Sequence, residues 1–122
     1  METNELKWEA YGDVNPFDHG GLWILPNKET DTDFFIVRVI PLKAYNEGTD
    51  YLVEDVRIDL RDSWIELDSV KDYIGADENT DNIQLAIGVL DYYGAENCGG
   101  SVLRFATEEE ARADVEAYGI DL

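Results

Sequence analysis

Basic residues are scarce in this chain. It carries 9 Lys+Arg against 28 Asp+Glu, a formal net charge of -19 over 122 residues. No basic patch is available to grip phosphates, so direct binding to nucleic acid is not expected, and an anionic membrane surface would repel the chain. Cysteine and histidine occur once each, as Cys98 and His19. A lone cysteine excludes an internal disulfide and suits a reducing cytosol, and one Cys with one His cannot build a structural zinc site. No run approaches the roughly 20 apolar residues that span a bilayer. The opening Met1-Glu2-Thr3-Asn4-Glu5 is acidic and polar, unlike a secretory signal, so a cytoplasmic protein is expected. The glycine pairs Gly20-Gly21 and Gly99-Gly100 fit neither common phosphate-cradling spacing and sit among acids, so no nucleotide cofactor is expected.

What the chain does have is apolar substance. It is 44% hydrophobic, with 3 Trp, 7 Tyr and 4 Phe. An acidic disordered tail would be poor in aromatic and β-branched residues, so a folded core is expected, and the length suits one domain over residues 1–122. The aromatics exceed what a small core must bury, which leaves monomer and homodimer both open.

The first half reads as strands. Leu6 to Tyr11 alternates apolar and polar; Leu22 to Leu25 is a short apolar run stopped at Pro26-Asn27. Phe34 to Ile40 is apolar on both faces, the mark of a central strand covered by helices. Tyr51 to Leu60 follows, with Val56, Ile58 and Leu60 on one side and Asp55, Arg57, Asp59 and Arg61 on a solvated side. Glu54 interrupts the apolar set and predicts a bulge or an edge there.

The second half turns helical. Asp68 predicts the cap of a short helix through Tyr73-Ile74, closed by Gly75. Thr80 or Asp81 predicts the cap of a helix from Asn82 to Tyr93, stopped by Gly94. Its apolar stripe is Ile83, Ile87 and Leu90, widened by Leu85, Val89 and Tyr92. A short strand from Ser101 to Phe105 precedes a capping-box signal, Thr107 with Glu110. The last helix turns Ala111, Val115 and Tyr118 inward and stops at Gly119. The order predicts an α+β domain with a mainly antiparallel sheet of about four to five strands and two to three helices.

Tests for chemistry return little. Asp77-Glu78-Asn79-Thr80-Asp81 places oxygens at positions 1, 3 and 5 of a calcium loop. Position 6, which requires Gly, is Asn82, and position 12, which requires Glu, is Gly88. Glu29 with Asp31-Thr32-Asp33 offers carboxylates, but a polar hairpin turn accounts for them, and nothing singles out an acid–base pair. His19 and Cys98 form a nucleophile–base pair only if the fold unites them, and neighbouring acids raise a thiol pKa. No catalytic residue, metal ligand or cofactor site is assigned, and the chain is expected not to be an enzyme.

The acids themselves carry the functional argument. Residues 1–61 hold 13 acids and 6 bases, a balance of -7; residues 62–122 hold 15 acids and 3 bases, a balance of -12. If the second half folds onto one side, that side is the more negative face. The candidate partner-binding residues are Asp62, Glu66, Asp68 and Asp72 around the first helix. Asp77, Glu78 and Asp81 crowd the next helix start, and Glu108, Glu109, Asp114 and Glu116 lie on the exposed side of the last. Residues three or four apart on a helix lie about 5–6 Å apart at Cβ. Residues two apart on a strand lie about 6–7 Å apart. Such spacings place carboxylates where a basic groove would otherwise hold phosphates. Helix-dipole complementation accounts for part of the set, among them Asp68, Asp77, Glu78 and Glu108 to Glu110. It does not account for so few balancing bases.

In overall character this short, aromatic-rich, strongly acidic α+β chain resembles the small inhibitors carried by phages and conjugative elements, the anti-CRISPR and antirestriction proteins that imitate nucleic acid. The resemblance covers the whole chain and rests on no residue motif. It implies an inhibitor, in the cytoplasm of a host cell, that fills the nucleic-acid channel of a CRISPR effector or restriction-type enzyme. Two other readings fit the same composition: an acidic adaptor for one specific basic protein, and a housekeeping domain adapted to high salt.

Overall fold

The computed structural model describes residues 8–12, 15–27 and 29–122. Five strands form one antiparallel sheet in chain order: β1 (Glu9–Gly12), β2 (Gly21–Pro26), β3 (Asp33–Pro41), β4 (Tyr51–Asp59) and β5 (Ser101–Phe105). Four helices accompany them: a single turn α1 (Pro16–His19), then α2 (Leu67–Ile74), α3 (Asn82–Tyr93) and α4 (Glu108–Ala117). The α+β class and the five strands are as expected. The helix count exceeds two to three because Pro16, pre-set for a first helical turn, starts the single-turn α1 between β1 and β2. The part of the first expected strand before Trp8 lies outside the described residues.

β3 is the middle strand, and its two faces feed two separate cores. Phe34 and Ile36 pack with Ile24, Val56 and Ile58 beneath Val70 of α2 and Ala86, Val89 and Leu90 of α3. Val37 and Val39 pack with Trp23, Tyr51 and Val53 beneath Phe17 of α1 and Ala111 and Val115 of α4. Successive strand residues point to opposite faces, so the sheet lies between α2–α3 on one side and α1 with α4 on the other.

Glu54 corrects the expected bulge. The β3–β4 register runs unbroken from Pro41↔Tyr51 to Asp33↔Asp59, and β5 covers the other edge of β4 over residues 51–55. Glu54 is only 7% exposed. Its charge is met by Arg38 directly across the ladder, whose Nε donates to Glu54 Oε1 at 2.6 Å and whose Nη1 donates to Asp91 of α3 at 2.7 Å. An ion pair, not an irregularity, admits the acid to a buried strand.

The helix starts divide in the same way. α3 begins where expected, with a complete capping box: Gln84 N–H donates to Asp81 Oδ1 and Asp81 N–H donates to Gln84 Oε1, both at 2.9 Å. α2 does not start from Asp68. Burial of Ile65 and packing of Leu67 against the core draw its start forward, leaving Asp68 inside the first turn. Gly75 closes α2 in the left-handed conformation, at φ 68°. On α3 the buried residues are Leu85, Ala86, Gly88, Val89 and Leu90, while Tyr92, expected to widen the stripe, is exposed.

Two replacements probe this framework. A Cβ on Gly100 would lie 2.2 Å from the Asp55 carbonyl oxygen and 2.9 Å from Val56 Cβ. Gly100→Ala is therefore expected to cost about 2 kcal/mol in urea unfolding, because backbone cannot yield as a side chain can. Arg38→Met strands the buried Glu54 carboxylate and is expected to cost about 3 kcal/mol at pH 7, most of it regained when Glu54→Leu is added.

Candidate interaction surface

The seven candidate acids before α4 lie on one side of the sheet. Asp62 and Glu66 occupy the segment leading from β4 into α2. Asp68 and Asp72 stand on α2, and Asp77, Glu78 and Asp81 fill the connection to α3. All seven are exposed. Local bonds fix several of them. Asp77 Oδ1 accepts from Asn79 N–H at 2.8 Å, and Asp81 caps α3. Asp62 Oδ2 accepts from the Trp64 indole N–H at 3.3 Å. The Glu66 backbone N–H donates to the Tyr93 hydroxyl at 2.9 Å, tying the approach to α2 onto the end of α3.

The other four do not join them. α4 packs on the opposite face, so the second half of the chain does not fold onto one side. A strand apolar on both faces needs cover on both, and α4 supplies the second. Two of the four also depart from the expected exposed role. Glu108 is half-buried and accepts from Arg112 Nε at 2.7 Å, an ordinary i, i+4 pair. Asp114 is half-buried, and its Oδ2 is enclosed without a hydrogen-bond partner. Burial, and then the neighbouring Asp55, raise its pKa above the usual carboxylate value. Asp55 is itself engaged, accepting from Ser101 N–H at 3.2 Å and from the Tyr118 hydroxyl. Burial and that bond push the Tyr118 phenol upward. Glu109 and Glu116 are exposed as expected.

The cations explain why the α2–α3 side stays negative. Arg38 is held by Glu54 and Asp91, Arg57 by Asp33, and Arg61 by Asp59. Arg104 is held by Asp50, Arg112 by Glu108 and Lys43 by Asp18. Among the described residues this leaves Lys71 of α2 as the cation without an ion pair. The Arg57 fork grips the buried Asp33 at 2.9 and 2.5 Å and holds its carboxyl below the usual range. Arg61 holds Asp59 down to about 2 through side-chain and backbone bonds. The strand face expected to be simply solvated is thus a row of paired charges. Among the described residues, Glu108 is the one candidate acid of the eleven in an ion pair, and the other arginines and Lys43 are paired elsewhere.

Aromatic rings accompany the acids. Trp64 meets Tyr93 edge-on at 5.2 Å between centroids, Tyr93 meets Tyr92 at 4.9 Å, and Tyr92 meets Tyr73 at 5.3 Å. Trp64, Tyr92 and Tyr73 are 41%, 44% and 59% exposed. The exposure of Tyr73 could have been read from the sequence. The signal was present: Leu67, Val70 and Ile74 form the inward stripe of α2, and Tyr73 falls outside it.

The remaining candidate chemistry separates. No hydrogen bond joins His19 to Cys98. The Cys98 thiol is half-buried against the α2–α3 core, and burial pushes its pKa up, toward the unreactive thiol. Glu29, Asp31 and Asp33 belong to the β2–β3 hairpin, where Asn27 accepts from Glu29 N–H and donates to Asp33. Among the described residues no three His, Cys, Asp or Glu side chains are grouped to share a metal ion. Among the same residues no helix is long and apolar enough to cross a membrane. Comparison of the chain with protein-family models, with curated proteins and with solved structures finds no match.

Asp114 gives a pH-sensitive element on the opposite, α4 side of the sheet. A raised carboxyl pKa penalises the folded state only when the group is ionised, so the penalty is absent in acid and complete above the raised value. Asp114→Asn is therefore expected to stabilise the protein by about 1 kcal/mol at pH 7. The gain should fade as the pH falls to about 3 in thermal unfolding followed across pH. A gain that persisted undiminished in acid would show that its source is not the carboxylate charge.

Proposed function

We propose that this protein is a nucleic-acid-mimicking inhibitor. It acts in the cytoplasm and binds the basic DNA- or RNA-binding groove of a CRISPR effector or restriction-type enzyme. The face that enters the groove is the α2–α3 side, with Asp62, Glu66, Asp68, Asp72, Asp77, Glu78 and Asp81 standing where phosphates would lie. The supporting observation is the distribution of counter-charge. The described arginines and Lys43 form their ion pairs with carboxylates other than these seven, so a partner's lysines and arginines meet acids that no described ion pair already holds.

Inhibition is competitive on this reading. The groove cannot hold the helix-borne carboxylates and a nucleic-acid backbone together. Screening shortens from about 10 Å at 0.1 M salt to about 3 Å at 1 M, so binding falls steeply with salt. Glu109 and Glu116 on the far face contribute to long-range attraction but not to contact.

The test begins with retention of partners from a bacterial lysate at about 0.1 M salt, the Debye regime in which such contacts persist. Retained nucleic-acid-binding enzymes are then assayed for DNA binding with added protein. Wild type is expected to displace DNA. Asp62→Lys/Glu66→Lys/Asp72→Lys should lose displacement by at least about tenfold, since like-charge contacts cost several kcal/mol. Glu109→Lys/Glu116→Lys should change it by less than about threefold, as expected of charges outside the contact. Retention only of proteins that do not bind nucleic acid would replace this reading with the adaptor one.

A further inference from the structure

The ring strip Trp64–Tyr93–Tyr92–Tyr73 brings together three of the exposed large apolar side chains on the α2–α3 side. Three of its four members are more than two-fifths exposed. It is also fixed. The Trp64 indole N–H is bound to Asp62 Oδ2, the Tyr93 hydroxyl accepts from Glu66 N–H, and each ring sits edge-on to the next. The face that accepts a partner therefore needs little ordering, which is the property of an interface anchor.

The charges around the strip decide what it accepts. The Asp62 carboxylate adjoins Trp64 through its bond, the Glu66 backbone is tied to Tyr93, and Asp72 directly precedes Tyr73 on α2. A second copy docked strip to strip about a two-fold axis would press these carboxylates against their own counterparts. Phosphate-bearing partners meet the same repulsion. A cation is favoured by both the acids and the ring faces, and a guanidinium more than an ammonium. It is planar, stacks on aromatic faces, is less strongly hydrated, and presents a fork that fits a carboxylate.

We propose that this strip binds arginine side chains of the partner, each guanidinium stacking on an exposed ring while bonding to Asp62, Glu66 or Asp72. The proposal rests on the reading of the α2–α3 side as the face that enters a basic groove, and it names the residue type that face selects. Carboxylates supply long-range attraction and salt dependence. The rings supply a discrimination between arginine and lysine that charge alone cannot.

Titration calorimetry with nona-arginine and nona-lysine peptides at about 0.15 M and 0.5 M salt tests this directly, across a range where screening changes markedly. The arginine peptide is expected to bind about tenfold more tightly, from two or so exposed ring contacts. Tyr73→Leu/Tyr92→Leu keeps apolar bulk and should erase the preference while leaving the salt dependence. Asp62→Asn/Glu66→Gln/Asp72→Asn should weaken both peptides and flatten the salt dependence. Equal affinity of wild type for the two peptides, or a preference that survives Tyr73→Leu/Tyr92→Leu, overturns the proposal. The outcomes separate it from the function it rests on. Arginine preference without displacement of nucleic acid from any enzyme rejects the inhibitor role and keeps the strip. Displacement undiminished by Tyr73→Leu/Tyr92→Leu rejects the strip and keeps the inhibitor role.

Discussion

A sheet whose central strands are apolar on both faces must be covered on both, and the rest of the molecule follows from that. Phe34, Ile36, Val56 and Ile58 require one layer of helix, and Val37, Val39 and Val53 require another. Only short amphipathic helices are available to supply them. Each spends its apolar stripe on the sheet and turns most of its acids outward, Asp114 of α4 being the enclosed exception. The negative surface is thus partly an outcome of how the cores are closed. What sets the α2–α3 side apart is that, among the described residues, the arginines pair with other acids and leave only Lys71 of α2 beside its seven candidates.

The ion pairs complete this division. Arg38 joins β3, β4 and α3 by bonding to Glu54 and Asp91, and Arg57 joins two strands by gripping Asp33. These arginines hold together parts of the chain that hydrophobic burial alone would leave with unpaired charges. A chain with 9 Lys+Arg has few left once such positions are served. Internal pairing and external charge are two sides of one shortage.

The local signals in the sequence were legible, and the non-local ones were not. The bounds of α3 can be read directly, because its cap, stripe and stopping glycine all lie within fourteen residues, from Asp81 to Gly94. The central placement of β3 follows from its two-faced hydrophobicity. Glu54 reads as a flaw because its partner Arg38 is sixteen residues away and meets it only through strand register. Asp114 reads as a surface acid because Asp55 of β4, the charge beside it, lies far off in the chain and reaches it only through the packing of α4 on the sheet. The division of the eleven acids depends on which face of the sheet α4 covers, and no feature of its own sequence encodes that choice.

The sheet also ends in its two shortest described strands, β1 with four residues and β5 with five. An unpaired strand edge is a template for addition of further chains, and shortness limits how many backbone bonds an added strand can make. Here the limit is reinforced by charge, since two molecules approaching edge to edge bring together bodies of net charge -19. The excess acid therefore has a colloidal consequence independent of any partner. It holds copies of the protein apart, so that the open strand edges stay unused.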